Sequence, residues 1–411
     1  MKSIPVKTLS LFVFVILSSF PNYSQIVNGA DLLFSENLEL ITGKNVGVVC
    51  NHTSLLSDGT HLVDALLSQK NVMLKTIFTP EHGFKGTIEA GELIDSKKNL
   101  YKDVPIISLY GKDRKPGKEN LKDINVLIFD IQDVGARFYT YISTMYYVLE
   151  SAGENNIPVI ILDRPNPIGG NYFDGPVLDP NYKSFVGIAE IPVTHGMTVG
   201  ELANYFVGEK LVPGWKNISL KVINCKNWKR EIPEHFYSKW NSPSPNINSL
   251  ETALVYPGTC LLEGTNISEG RGTRFPFLQF GASFLKSEDV IEKLKALKIE
   301  GIEMQSIAFI PEDIERIATN PKFEGKTCYG IKIKITDSAK FEPVKFGVKL
   351  LYVLVKLYGN KIKFNESFNK LAGTSELKQM LLKKVNPEII IGSWQKELIK
   401  FEKQRIKYLL Y

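Results

Sequence analysis

From residue 46 to about 165, short and continuously apolar runs alternate with amphipathic stretches, the pattern of βαβ units closing a parallel sheet. Four runs read as strands: Val46 to Cys50, Leu74 to Phe78, Val126 to Asp130 and Pro158 to Leu162. Each is mainly apolar, as expected of a strand covered on both faces. Behind each comes a polar loop bearing Gly or Pro: Asn51-His52-Thr53-Ser54, Thr79-Pro80-Glu81-His82-Gly83, Ile131 to Arg137, and Asp163-Arg164-Pro165-Asn166-Pro167. Loops at the carboxyl ends of parallel strands are where open α/β sheets bind ligands, so four polar loops converge on one edge.

Further on, Thr198 and Glu201 have capping-box spacing and predict a helix carrying Leu202, Ala203 and Phe206. The pattern then loosens through Trp215, Trp228 and Trp240 to Ser242-Pro243-Ser244-Pro245-Asn246, the best candidate for a domain boundary. Past it, Ile331, Ile333 and Ile335 alternate with lysines as in a half-exposed strand, and Val344 to Tyr358 reads as a helix. The expected class is α/β: a Rossmann-like parallel-sheet domain over 25–248, then a smaller α+β domain over 249–411 that contributes its 256–273 loop to the cleft.

The first 24 residues stand apart as an export signal. Lys2 and Lys7 precede an apolar run, Leu9 to Phe20, too short to span a bilayer, and a small-residue exit follows. The mature chain is therefore expected in the periplasm or secreted, without stable membrane insertion. With 411 residues, 44% hydrophobic and 23% charged, it can bury a large core. The net charge of +6 is spread among interleaved acids and bases, which leaves no nucleic-acid footprint. Cys50, Cys225, Cys260 and Cys328 lie in or beside apolar runs without a C-x-x-C pair and read as buried thiols. Neither G-x-G-x-x-G behind the first strand nor G-x-x-x-x-G-K-[ST] occurs, so no nucleotide cofactor is expected. His52, His82 and His195 in the converging loops suggest sugar-hydroxyl partners, and no metal is expected because H-E-x-x-H spacing is absent.

Long motifs in order, Pro80 to Phe84, Asp130 to Tyr141, Asp163 to Pro167, His195 to Thr198, Pro243 to Asn246 and Tyr256 to Thr273, resemble the exo-acting β-N-acetylmuramidases of bacterial peptidoglycan turnover. This is a Rossmann-like glycoside hydrolase family, and the resemblance covers essentially the whole mature chain. It implies removal of single N-acetylmuramic acid residues from the non-reducing ends of peptide-free glycan fragments, the substrates being disaccharides or glycan chains that contain this sugar. It says nothing of oligomeric state.

Glycoside hydrolysis needs a proton at the leaving oxygen and negative charge near the oxocarbenium-like carbon, usually from two carboxyl groups. Glu81, behind a buried strand and fixed by Pro80, is the leading general acid, and the resemblance points to it as well. The alternative is a turn cap or a pair with Lys85. Asp133 leads for the second carboxylate, ahead of Asp130, Glu263 and Glu269, any of which could instead anchor a loop. Retaining, inverting and acetamido-assisted routes all stay open. The lactyl carboxylate of the sugar calls for a cation, in the order Arg137, Arg271, Arg164. Tyr139, with Phe138 and Tyr141, offers sugar stacking, while Tyr146 and Tyr147 suit a core. Asn166 and Asn266 complete the polar loop positions. Two other functions compete: a metal-dependent cell-wall deacetylase or amidase, and a peptidoglycan-fragment binding protein without activity.

Overall fold

The computed structural model describes residues 25–87, 100–232 and 240–411. The export signal read at 1–24 lies outside them. A seven-stranded sheet forms from β1 (Asn45–Cys50), β2 (Met73–Thr79), β3 (Leu100–Tyr101), β4 (Val104–Ser108), β5 (Val126–Asp130), β6 (Val159–Leu162) and β7 (Leu220–Ile223). Its order is β3-β4-β2-β1-β5-β6-β7, with every pair parallel except β3 with β4. Omitting the short β3, this is the Rossmann order 3-2-1-4-5-6, whose connections reverse direction beside β1 and open a crevice at the carboxyl ends there.

Period-two geometry sends alternate side chains to opposite faces. Val46, Val48 and Cys50 of β1 face one core with Val126 and Ile128, covered by Leu33, Leu62 and Leu66 from the helices Gly29–Glu36 and Leu62–Leu67. Val49, Leu127 and Phe129 point the other way, onto helices Tyr141–Asn155 and Val199–Gly208. The second of these opens on the capping box: Thr198 Oγ1 accepts the Glu201 amide at 3.1 Å, and the Thr198 amide donates to Glu201 Oε2 at 3.0 Å.

A second, smaller sheet is antiparallel, in the order β8 (Gln279–Ala282), β10 (Cys328–Ile335), β9 (Ile302–Phe309). Helix Ser287–Lys295 packs on this sheet, and helix Pro343–Tyr358 packs against both that helix and helix Leu250–Thr259. At that crossing Gly258 meets Gly347, and a Cβ on Gly258 would stand 2.0 Å from the Pro343 carbonyl oxygen. Only bare backbone permits so close an approach.

The second core face of the large sheet continues without a break into this C-terminal part. Polar ties reinforce the junction. The fully buried Arg137 guanidinium donates to the carbonyls of Pro176 at 2.6 Å, Ile191 at 2.9 Å and Leu371 at 3.0 Å. The last residue, Tyr411, donates its hydroxyl to buried Asp163 at 2.6 Å and accepts the Cys225 amide at 2.7 Å. All four cysteines are free and buried. Among the described residues, no helix is long and apolar enough to cross a membrane.

Candidate active site

Glu81 stands two residues beyond β2, and the chain turns back at once behind it. His82 and Gly83 both have φ of 71°, in the left-handed region, and the Gly83 amide closes the turn on the Pro80 carbonyl at 3.1 Å. This turn holds Glu81 at the sheet edge, where Oε2 accepts the Thr140 hydroxyl at 2.6 Å. Thr140 immediately precedes helix Tyr141–Asn155, so the carboxylate is held by a rigid element. Glu81 is only 7% exposed.

Asp133, three residues beyond β5, is equally buried. Its Oδ2 accepts the Gly135 amide at 2.7 Å in a local Asx turn. That turn needs glycine, because Gly135 has φ of 80° and an added Cβ would lie 2.6 Å from Asn166 Oδ1. The fully buried His195 accepts the Met197 amide on Nδ1 at 3.2 Å, so its proton sits on Nε2, which lies 3.6 Å from Asp133 Oδ2. Asp133 Oδ1 and His195 Nε2 are buried and have no hydrogen-bond partner among the described residues. Buried polar atoms left open in this way are a place for a polar ligand.

Tyr141 ties the loops together. Its hydroxyl donates to the Pro243 carbonyl at 2.6 Å and accepts from Asn51, the residue after β1, at 3.1 Å. Burial first, then the nearby Glu81 and Asp133 carboxylates, push this phenol well above its ordinary pKa, so both acids bear on one hydroxyl. Asn51 Oδ1 also receives the Thr53 hydroxyl, and Thr53 Oγ1 receives the Gln132 amide at 3.2 Å, joining the loops behind β1 and β5. Tyr139 is buried edge-on between Tyr141 and Tyr256, with centroids 4.8 and 6.0 Å away, and so supports the site rather than presenting a flat face.

His52 Nε2–H donates to the Ser242 carbonyl at 2.6 Å, and its ring lies against Gly86, where a Cβ would stand 1.9 Å from the imidazole. The Ser242 to Asn246 segment, read above as a boundary, thus lines the cleft. Burial lowers the His52 pKa below 6.5, with the Ser242 bond opposing and His61 adding to the shift. The folded protein then resists a proton that the unfolded chain takes up, so stability falls as pH drops below 6.5 towards the folded pKa. In an NMR titration the His52 imidazole signals are expected to show a midpoint below 6.5.

Several positions expected to meet substrate are occupied otherwise. Arg137 points away from the cleft into its three carbonyls, and burial lowers its pKa to about 9. Arg164 pairs with Asp130 through Nε at 2.5 Å and Nη2 at 2.8 Å, and also donates to the Leu55 carbonyl. Asn166 ties Met197 and Ile168, while Asn266 bonds the backbone of Lys361 and Lys363. Arg271 grips Glu263 at 2.7 and 2.9 Å, and Glu269 holds Lys322 at 2.9 Å. Their loop meets the site through rings, as Phe277 and Phe138 both pack on Tyr256. Thr140, Asn51 and Gln132 escaped the sequence reading, although each stands in a loop that follows a buried strand. Among the described residues, no three His, Cys, Asp or Glu side chains are grouped to hold a metal ion.

Residues 46–251 match the family model of the exo-β-N-acetylmuramidase NamZ N-terminal domain, and residues 254–411 match that of its C-terminal domain. The peptidoglycan β-N-acetylmuramidase NamZ of Bacillus subtilis (strain 168) is 41% identical over 390 residues, spanning 94% of this chain and 92% of that protein. Two crystal structures of DUF1343 family proteins from Bacteroides fragilis NCTC 9343 superpose with TM-scores of 0.85 and 0.76, at 31% and 33% identity. Each covers 94% of this chain and 99% of its own. Matched by both domain models and by a relative at 41% identity over 94% of its length, the chain belongs to the exo-β-N-acetylmuramidase NamZ family of glycoside hydrolases.

Proposed function

We propose that the enzyme removes terminal N-acetylmuramic acid from the non-reducing ends of peptide-free peptidoglycan fragments, with Glu81 as general acid. The observation that carries this is that two buried carboxylates, Glu81 and Asp133, stand in the loops behind β2 and β5 on either side of β1, each held by a fixed donor. Glu81 delivers its proton to the glycosidic oxygen while Asp133 faces the developing positive charge at the anomeric carbon. The open Asp133 Oδ1 can accept a hydrogen bond from the attacking water or from the acetamido N–H of the sugar. His195 Nε2, 3.6 Å from the other carboxylate oxygen, meets a sugar hydroxyl in the bound state. The basic and apolar N-terminal segment supports export, and the periplasm is the proposed compartment, with secretion the other outcome.

Release of a chromophore from an aryl β-N-acetylmuraminide, with the matching N-acetylglucosaminide as control and EDTA present, tests the reading. Cleavage confined to the muraminide is expected. No cleavage of either, or equal cleavage of both, overturns it.

A further inference from the structure

His195 owes its orientation to the peptide that joins Gly196 to Met197. A trans peptide is planar, so its carbonyl and its N–H point to opposite sides of one rigid unit. In this peptide the N–H end donates to His195 Nδ1 at 3.2 Å, which leaves the imidazole proton on Nε2, 3.6 Å from Asp133 Oδ2. The carbonyl end accepts two guanidinium donors, Arg230 Nη2 at 2.5 Å and Arg405 Nη1 at 2.9 Å. Fixing one end of the plane fixes the other. Cationic donors on the carbonyl also polarise the peptide and strengthen its N–H as a donor to the ring.

The two guanidiniums differ in what balances them. Arg230 pairs with Glu201 at 2.9 Å, the capping glutamate of helix Val199–Gly208. Arg405, the last residue of helix Gln395–Arg405, makes no ion pair among the described residues, although it is only 6% exposed. It lies 4.0 Å over the Phe173 ring, and its hydrogen bonds go to the carbonyls of Gly196 and, at 3.3 Å, Gly170. Burial first, then the neighbouring Arg230, lowers its pKa to about 10, so it is a cation at neutral pH. A buried charge without a counter-charge is costly to fold around, and here it is spent on the backbone beside His195. The residue on the other side of His195 is tied to the same part of the chain. Thr194 pairs with Asp174 through its amide at 3.0 Å and its hydroxyl at 2.8 Å, and Asp174 Oδ1 accepts the Trp394 indole N–H at 2.9 Å.

We propose that Arg405 is a positioning residue of the active site: through the Gly196–Met197 peptide it holds the His195 imidazole in one orientation and one tautomer, with Nε2–H presented to the bound sugar. The assignment rests on the role given to His195 above. It lets the C-terminal part bear on the reaction through a peptide of the large domain.

The test reads the His195 ring in nitrogen-15 spectra at about pH 8, where imidazoles are ordinarily neutral, alongside kcat/KM on the aryl muraminide. The His195→Ala spectrum identifies the signals. Wild type is expected to show one protonated and one bare nitrogen, well apart in shift. In Arg405→Met the two shifts move together as the tautomers mix, and kcat/KM falls roughly tenfold. In a His195→Ala background the same substitution changes kcat/KM by less than about twofold, because the effect passes through the imidazole. Arg405→Lys keeps the charge and a donor, so it is expected to fold and to lose only about threefold, again only where His195 is present. Unchanged His195 shifts in Arg405→Met, or a loss by either variant that persists undiminished in His195→Ala, overturns the assignment. A His195→Ala enzyme as active as wild type overturns it together with the role of His195. Failure of wild type to cleave the muraminide overturns the proposed function alone, and the nitrogen shifts still decide the positioning.

Discussion

Glu81→Gln is expected to lower kcat/KM on a natural disaccharide by about 10²–10⁴, the usual contribution of a positioned acid. The same variant should lose much less on an aryl glycoside with a nitrophenolate leaving group. A good leaving group departs with little help from a proton, so an acid is missed only where the departing oxygen is a poor one. A residue that attacks or stabilises the anomeric carbon would cost both substrates alike. Structure favours the variant's folding, because Gln fills the same space and its amide still accepts the Thr140 hydroxyl. Comparing the two leaving groups in one enzyme therefore separates the acid role from a structural one. Equal losses on both would move the acid elsewhere.

The second large effect concerns stability. Arg164→Leu leaves the Asp130 carboxylate, 0% exposed, without its counter-charge and strips the Leu55 carbonyl of a donor. Breaking a buried pair by removing one partner costs about 3–5 kcal/mol. The urea unfolding midpoint of Arg164→Leu, or its yield of folded protein, should fall accordingly. Asp130→Leu combined with Arg164→Leu is expected to recover a good part of the loss, since no lone charge then remains buried. The pair joins the loop behind β6 to the end of β5 beside the cleft, so the single variant should lose activity along with stability. A single variant as stable as wild type would show that water reaches the carboxylate.

The central strands β1, β2, β5 and β6 are legible in the sequence because burial on both faces makes most of their residues apolar. β4 and β7 are not, since Pro105 and Lys221 interrupt short runs towards the edges of the sheet. The loops that carry Glu81 and Asp133 follow from the strands. Their partners do not: a threonine 59 residues from Glu81 carries no local sign that it will donate to it. Arginines mislead for the same reason. Arg137, Arg164 and Arg271 sit in polar loops, yet a guanidinium shows its partner only in three dimensions, and for Arg137 one such partner is 234 residues away.

The bond from Tyr411 to Asp163 spans 248 positions and ends on the last residue of the chain. Loop closure of that length comes late, because its entropy must be met before the contact can form. Until that closure Asp163 lacks one of its donors, and Arg137 waits for the Leu371 carbonyl. The sheet that carries Glu81 and Asp133 thus gains its last buried hydrogen bonds only after contacts 234 and 248 positions apart have closed.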